Sequence, residues 1–227
     1  MLISIENVLS EQDIADIRGS LKKAKWQSGS LTAGSQAIKV KANEQLDEQS
    51  PLARQLSAKV MNAVSRNPTF ISAALPVKIY PPKFNCYRGG GHYGTHVDNA
   101  LMPLPGGNEM LRADLSATVF ISEPDEYEGG ELQIESSFGT QSIKLKAGDM
   151  VLYPSSSLHQ VTNVTRGARL ASFFWLQSMV SDDERRTLLY DLDQSIQALT
   201  LTAAADDANL SRLTGIYHNL IRQWAVV

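Results

Sequence analysis

Three observations in this sequence predict a mainly β fold with flanking helices (α+β). Between Val77 and Ser178, short runs of β-branched and aromatic residues are broken by Gly, Pro and Asn, the texture of a sandwich or barrel of short strands. On either side of that stretch, apolar residues recur at helical spacing. The length of 227 residues and a 43% hydrophobic composition suit one well-cored globular domain with appendages, and argue against disorder. The chain therefore divides into an N-terminal helical support region (1–76), a β core (77–178) and a C-terminal helical segment (179–227).

The elements follow in order. Met1 to Glu6 opens as a short strand. Ser10-Glu11-Gln12-Asp13 resembles a capping box, and Ile14, Ile17 and Leu21 continue at helical spacing, which predicts an amphipathic helix ending near Trp26. Gln27 to Asn43, rich in Ser, Gly and Lys, reads as strand plus loop. Ser50-Pro51 starts a second helix with Leu52, Leu56, Val60 and Val64 on one stripe. Two helices thus precede the β core. Its strands are expected at Val77 to Tyr80, Leu115 to Ile121, Glu131 to Ile134, Ser142 to Leu145, Met150 to Tyr153 and Leu170 to Leu176. Gly129-Gly130-Glu131 reads as a tight turn into a strand. Ser181 to Glu184 then caps a helix carrying Leu188, Leu189, Leu192 and Ile196, and a last helix bears Leu213, Ile216, Leu220 and Trp224.

A formal charge of −3 without a Lys/Arg cluster argues against nucleic acid or an anionic membrane as partner. Cys86 is the only cysteine, so no intrachain disulfide can form, and a reducing compartment fits. The start lacks a basic n-region, and no apolar run is long enough to span a bilayer. The expectation is a soluble cytoplasmic protein.

The chemistry concentrates at His96-Val97-Asp98, His159 and Arg169. On a strand, residues i and i+2 share a face, so His96 and Asp98 would present an imidazole and a carboxylate side by side. A third ligand from a distant strand would complete a facial triad of two histidines and one carboxylate, whose open positions suit non-haem Fe(II) oxygenases. His92 belongs to a glycine-rich approach, Tyr87 to Gly94, that cannot be a stable helix, so His92 and His96 are not the helical pair of a zinc protease; His92 reads as a loop residue. Asn163 to Gly167 has the composition of a hairpin turn. A hairpin centred near Val164 would set His159 opposite Arg169, with Cβ atoms about 5 Å apart. Arg169 could then grip the far carboxylate of a diacid whose near end chelates the metal.

Taken in order, Asn85 to Asn99, Tyr127-Glu128-Gly129-Gly130-Glu131-Leu132, Ala147-Gly148-Asp149 leading to Tyr153-Pro154-Ser155, and His159 through Arg169 to Trp175 form a pattern. It resembles the Fe(II)- and 2-oxoglutarate-dependent dioxygenases of the prolyl 4-hydroxylase type, and more closely the bacterial PKHD-type hydroxylases. The resemblance implies a double-stranded β-helix (jelly roll, cupin-like) core. It implies His96, Asp98 and His159 as iron ligands, Arg169 as partner of the distal carboxylate of 2-oxoglutarate, and Tyr87 as a hydrogen-bonding partner of the same co-substrate. Trp175 resembles a pocket-lining tryptophan, with packing of the β core as its other reading. The implied reaction couples decarboxylation of 2-oxoglutarate to hydroxylation of a primary substrate, with Fe(II), 2-oxoglutarate and L-ascorbate as cofactors and a bacterial setting tied to iron uptake.

Two other readings stay open at this stage: a cupin-like metalloenzyme that does not use 2-oxoglutarate, and a non-enzymatic iron- or redox-sensing interaction protein docking through its C-terminal helices, including Tyr217 and Trp224. Those helices are also the expected route to a homo-oligomer. The primary substrate, a small molecule or a peptide side chain, depends on the segments Ser28 to Asn43 and Asn99 to Met110, which carry no motif.

Overall fold

The computed structural model of the chain describes residues 1–32, 40–136, 139–202, 204 and 207–226. In chain order the elements are β1 (Ile3–Ile5), α1 (Glu11–Leu21), β2 (Trp26–Ser28), β3 (Lys41–Ala42), β4 (Glu44–Leu46), α2 (Pro51–Val64) and α3 (Pro68–Ala74). The β core follows with β5 (Pro76–Ile79), β6 (Lys83–Arg88), β7 (His92–His96), β8 (Leu101–Pro103), β9 (Met110–Arg112), β10 (Leu115–Phe120), β11 (Tyr127–Glu128), β12 (Leu132–Ser136), β13 (Gly139–Ile143), β14 (Met150–Pro154), β15 (His159–Val161) and β16 (Arg166–Ser178). Helices α4 (Asp183–Thr200) and α5 (Ala208–Trp224) close the chain.

Apart from β8 and β9, which pair only with each other, the strands form two facing antiparallel sheets, the jelly-roll arrangement. The major sheet runs β1-β14-β10-β16-β6-β4-β2, with β5 and β11 also pairing with β16, and the minor sheet runs β13-β12-β15-β7-β3. Alternation along the major-sheet strands separates two interiors. Leu115, Ala117 and Val119 of β10, with Phe174 and Leu176 of β16, face the helices and pack with Ile17, Leu56, Val60 and Phe70. Their neighbours Phe120, Val151 and Tyr153 face the minor sheet and pack with Ile134, Val161 and Val164. One face of the major sheet thus anchors the support helices, and the other is available for a site.

The N-terminal region is more than helical support. β1 pairs with β14, β4 with β6 and β3 with β7, so residues before Pro76 extend both sheets. Helix α1 ends at Leu21 and Trp26 joins β2 opposite Leu46, because Lys22-Lys23-Ala24-Lys25 gives the apolar stripe no large side chain to hold another turn against the core. Of the strand-and-loop stretch expected over Gln27 to Asn43, residues 33–39 lie outside the described residues. A third helix, α3, precedes the β core: Asn67 accepts a hydrogen bond from the Phe70 amide, Pro68 sits in the first turn, and Leu75 ends the helix in the left-handed region at φ 42°. Asn67-Pro68 was the legible signal for it. The stripe of α5 that meets the protein is Tyr217, Leu220, Ile221 and Trp224 against Leu75, Val180 and Leu189, while Ile216 is exposed.

The hairpin expected to join His159 to Arg169 does not form. β15 pairs with β12 and β7 in the minor sheet, whereas β16 pairs with β10 and β6 in the major one. The connection crosses from sheet to sheet because it is pinned: Val164 is buried, donates its amide to Gly91 and accepts from the Gly90 amide. Gly129 makes that crossing possible, since at φ 70° a Cβ there would stand 1.8 Å from the Asn163 carbonyl oxygen. Gly129 and Gly130, both at positive φ, make the expected tight turn, here between β11 and β12. Among the described residues no helix is long and apolar enough to cross a membrane.

Candidate active site

The cavity between the sheets measures about 870 Å³, and its wall includes His96, Asp98, His159, Tyr87, Tyr153, Arg169 and Trp175. Antiparallel pairing of β7 with β15 places His96 directly opposite His159, with ring centroids 4.2 Å apart. β7 ends at His96, so Asp98 lies two residues beyond the strand and needs a separate anchor. Ser116 on the facing β10 provides it: its hydroxyl donates to Asp98 Oδ2 at 2.6 Å and lies 2.8 Å from the Ser155 hydroxyl. The carboxylate thus closes on the two imidazoles, its oxygens 4.0 Å from His96 Nε2 and 3.8 Å from His159 Nε2. These separations are too long for hydrogen bonds and short enough for all three groups to close on one ion.

The imidazoles are set up as ligands. Nδ1 of His96 lies 2.8 Å from the Gly94 carbonyl oxygen, and Nδ1 of His159 lies 3.0 Å from that of Ser157. A carbonyl can only accept, so each Nδ1 carries the proton and each Nε2 presents its lone pair to the centre. Burial and the neighbouring His159 push His96 down to about 4, which keeps its ring neutral at pH 7. Tyr93 stacks on His96, centroids 3.6 Å apart and planes 18° from parallel, and fixes the ring. His92 begins β7, where it hydrogen-bonds Gly90, and takes no part in the cluster.

Arg169 lies deeper in the cavity, on the other sheet. Its strand register sets it opposite Tyr87, and its guanidinium carbon lies 5.3 Å from the Tyr87 ring centroid and 5.2 Å from that of Phe120. Gly130 lets the side chain pass, because a Cβ there would meet Arg169 Cδ at 3.1 Å. Arg169 is 1% exposed, its Nε has no hydrogen-bond partner, and among the described residues no carboxylate pairs with it. A buried guanidinium in that condition is costly alone and well suited to an incoming carboxylate. Burial raises the Tyr87 phenol above its ordinary value, against a lowering by Arg169, so Tyr87 stays protonated and can donate.

Donor chemistry and geometry therefore agree: two imidazoles and a carboxylate suit a divalent first-row metal, and the cation deeper in the same cavity suits a diacid reaching toward it. Trp175 lines the cavity and is only partly buried, which favours the pocket reading over pure core packing. Ser116, Ser155 and Tyr93 position the ligands and were not singled out in the sequence. The signal for Ser116 is that it alternates with apolar residues along Leu115-Ser116-Ala117-Thr118-Val119, a strand buried on both faces.

Comparison with known proteins follows the same lines. Residues 82–177 match the family described as the 2OG-Fe(II) oxygenase superfamily, and residues 183–225 match the PKHD-type hydroxylase C-terminal domain. A PKHD-type hydroxylase of Acidovorax ebreus (strain TPSY) is 59% identical over 225 residues, covering 99% of each chain, and one of Pseudomonas aeruginosa (strain LESB58) is 50% identical with the same coverage. Among solved structures, a Pseudomonas putida prolyl-4-hydroxylase superposes with a TM-score of 0.53 at 17% identity, covering 78% of this chain and 92% of that one. A Trichoplax adhaerens prolyl hydroxylase, solved in complex with a hypoxia inducible factor oxygen degradation domain peptide fragment, gives 0.55 at 17% identity, covering 83% and 86%. At such identity these two structures speak for the fold alone.

Proposed function

The chain belongs to the PKHD-type hydroxylases of the 2OG-Fe(II) oxygenase superfamily, and from that premise we propose that His96, Asp98 and His159 hold its iron while Arg169 and Tyr87 hold the distal carboxylate of 2-oxoglutarate. The protein is a 2-oxoglutarate-dependent dioxygenase of the hydroxylase type, with Fe(II), 2-oxoglutarate and O₂ as its reactants and cofactor. Family membership sets aside both the metalloenzyme without 2-oxoglutarate and the non-enzymatic sensor.

Bound iron would supply the activation of O₂, which is the oxidant: 2-oxoglutarate is oxidised to succinate and CO₂ and takes up one oxygen atom, and the primary substrate is hydroxylated with the other. The protein's part is positional. Ser116 orients Asp98, the Gly94 and Ser157 carbonyls hold both histidines in the tautomer that offers Nε2, and Tyr93 fixes the ring of His96. Arg169 orients the diacid by a forked, charge-assisted contact, and the protonated Tyr87 phenol donates to the same carboxylate. The observation that carries the assignment is the tautomer-locked pair of Nε2 atoms beside Asp98, sharing one cavity with a buried arginine that has an unpartnered donor.

Replacing Asp98 with Ala tests the ligand set. The purified variant should lose stoichiometric Fe(II) by elemental analysis and make no succinate from 2-oxoglutarate; full iron content in D98A would refute it. L-ascorbate serves to keep the iron ferrous, and the protein works in the cytoplasm. The chain divides functionally at 1–76, 77–178 and 179–227, and the exposed Leu188 and Ile216 of the C-terminal helices fit a homo-oligomer. A role connected with iron uptake completes this reading.

A further inference from the structure

The end of the cavity away from Arg169 is walled by aromatic rings. Along β16, Trp175 lies roughly 20 Å of extended strand from Arg169, and its register partner is Ser116, the residue that holds Asp98. The wall therefore stands at the level of the metal ligands, in the part of the cavity that a diacid reaching from Arg169 leaves to the primary substrate. Tyr80 and Phe173 each meet Trp175 edge to face, with centroids 5.7 and 5.5 Å away, and all three rings line the cavity and are only partly buried. From the minor sheet, Val97 just after β7 and Leu158 just before β15 also line the cavity, 48% and 44% exposed. Apolar surface continues onto the β8–β9 hairpin. Its register sets Pro103 opposite Met110, and alternation puts Leu101 on the same face. Pro103 lines the cavity, Leu101 and Met110 are exposed beside it, and the other face of the hairpin, Met102 and Leu111, is buried. Exposed apolar side chains gathered around one opening mark a binding surface.

We propose that this end of the cavity is an apolar subsite, which receives an uncharged aromatic or branched aliphatic group of the primary substrate between the wall of Tyr80, Phe173 and Trp175 and the side chains of Val97 and Leu158. The proposal rests on the assignment of 2-oxoglutarate to Arg169, which decides the end of the cavity that is left. The charge on the ring wall is already answered. Lys83, whose Nζ lies 5.9 to 6.0 Å from the centroids of Tyr80, Phe173 and Trp175, is paired with Glu48. An anionic group therefore meets a lysine that has its carboxylate, and a cationic group meets rings that already face an ammonium. An uncharged apolar group takes the surface on both sides out of water at once, whereas a charged group of the same size would give up its own hydration to do so.

The test uses three probes of similar shape: toluene, benzoate and benzylammonium. Each is titrated by calorimetry, without oxygen, into the full chain saturated with Fe(II) and 2-oxoglutarate. Toluene should bind at least about tenfold more tightly than either charged probe, the order of the gain from burying one apolar side chain. That preference should fall in Trp175→Ser or in Leu158→Ser, which remove apolar surface from the two sides. A preference below about tenfold over either charged probe, or one unchanged in both variants, overturns the proposal; the wild-type comparison holds even if a variant does not fold. N-acetylphenylalaninamide, which carries the same ring on a peptide frame, is titrated alongside. Tighter binding than toluene assigns the apolar group to a polypeptide, and weaker or equal binding to a small molecule. 2-Oxoglutarate is titrated in parallel into Fe(II)-loaded wild type and Arg169→Met. If both bind it alike while the apolar preference is intact, the 2-oxoglutarate assignment fails and the subsite stands; if the variant loses it and the preference is absent from wild type, the subsite alone fails.

Discussion

Arg169→Met should separate two effects that have opposite signs. Methionine keeps most of the apolar stem between Tyr87 and Phe120 and removes a charge that is 1% exposed and has no carboxylate partner among the described residues. In the ligand-free protein, losing an uncompensated buried charge is neutral or stabilising, so the melting temperature should hold or rise. With 2-oxoglutarate the sign reverses. Removing one partner of a buried ion pair costs about 3–5 kcal/mol, which raises Kd by roughly two to almost four orders of magnitude. At a 2-oxoglutarate concentration about 100 times the wild-type Kd, the wild-type protein gains about 2.7 kcal/mol of stability from binding. The variant, with Kd raised at least about a hundredfold, gains about 0.4 kcal/mol or less under the same relation. Thermal melts with and without 2-oxoglutarate, on protein loaded with Fe(II) under nitrogen, read both effects, and calorimetry gives the two Kd values. If the variant binds 2-oxoglutarate within about threefold of wild type, Arg169 does not hold the diacid and the reasoning from its unpartnered donor is wrong.

Two further outcomes follow from the same site. Ser116→Ala removes the donor to Asp98 Oδ2 and should weaken metal binding about 10–100-fold with little change in melting temperature, measured by competition with a chelator; unchanged metal affinity would mean that Asp98 needs no support from β10. The pH dependence of the metal-free protein should carry the signature of His96, whose folded value of about 4 lies below the ordinary 6.5. Between these values the unfolded chain binds the extra proton, so stability is fully present above pH 6.5 and is lost as the pH falls toward 4. Urea midpoints across that window should fall more steeply for wild type than for His96→Gln; parallel profiles would show that His96 is not the buried neutral imidazole described above.

Much of the site was legible because its chemistry is written in residue types that rarely have another use together. Two histidines and an aspartate at those positions, followed by Arg169, suggested a metal and a diacid, and the glycine-rich approach excluded a helical zinc motif. The helix caps at Ser10 and Ser50 were readable because capping is local, each side chain accepting from an amide three residues away, whereas the cap expected over Ser181 to Glu184 falls on Asp182. The end of α1 and the existence of α3 were harder, since both depend on which short segment finds a core to pack against.

What the sequence by itself determined is the inventory: the ligand types, the cation that answers a carboxylate, the alternation that makes strands, and the caps that start helices. It did not determine which strands would be neighbours. Nothing local distinguishes a turn at Asn163 to Gly167 that returns along the same sheet from one that crosses to the other, and the choice falls to Val164, whose burial among residues distant in sequence outweighs the hairpin. That crossing places His159 opposite His96, leaves Arg169 opposite Tyr87 on the facing sheet, and opens the cavity between them. Ser116 acquires its role in the same way. Its chemistry is ordinary in the sequence, and only the pairing of strands far apart along the chain aims it at Asp98, because strand order is set by the burial of whole faces.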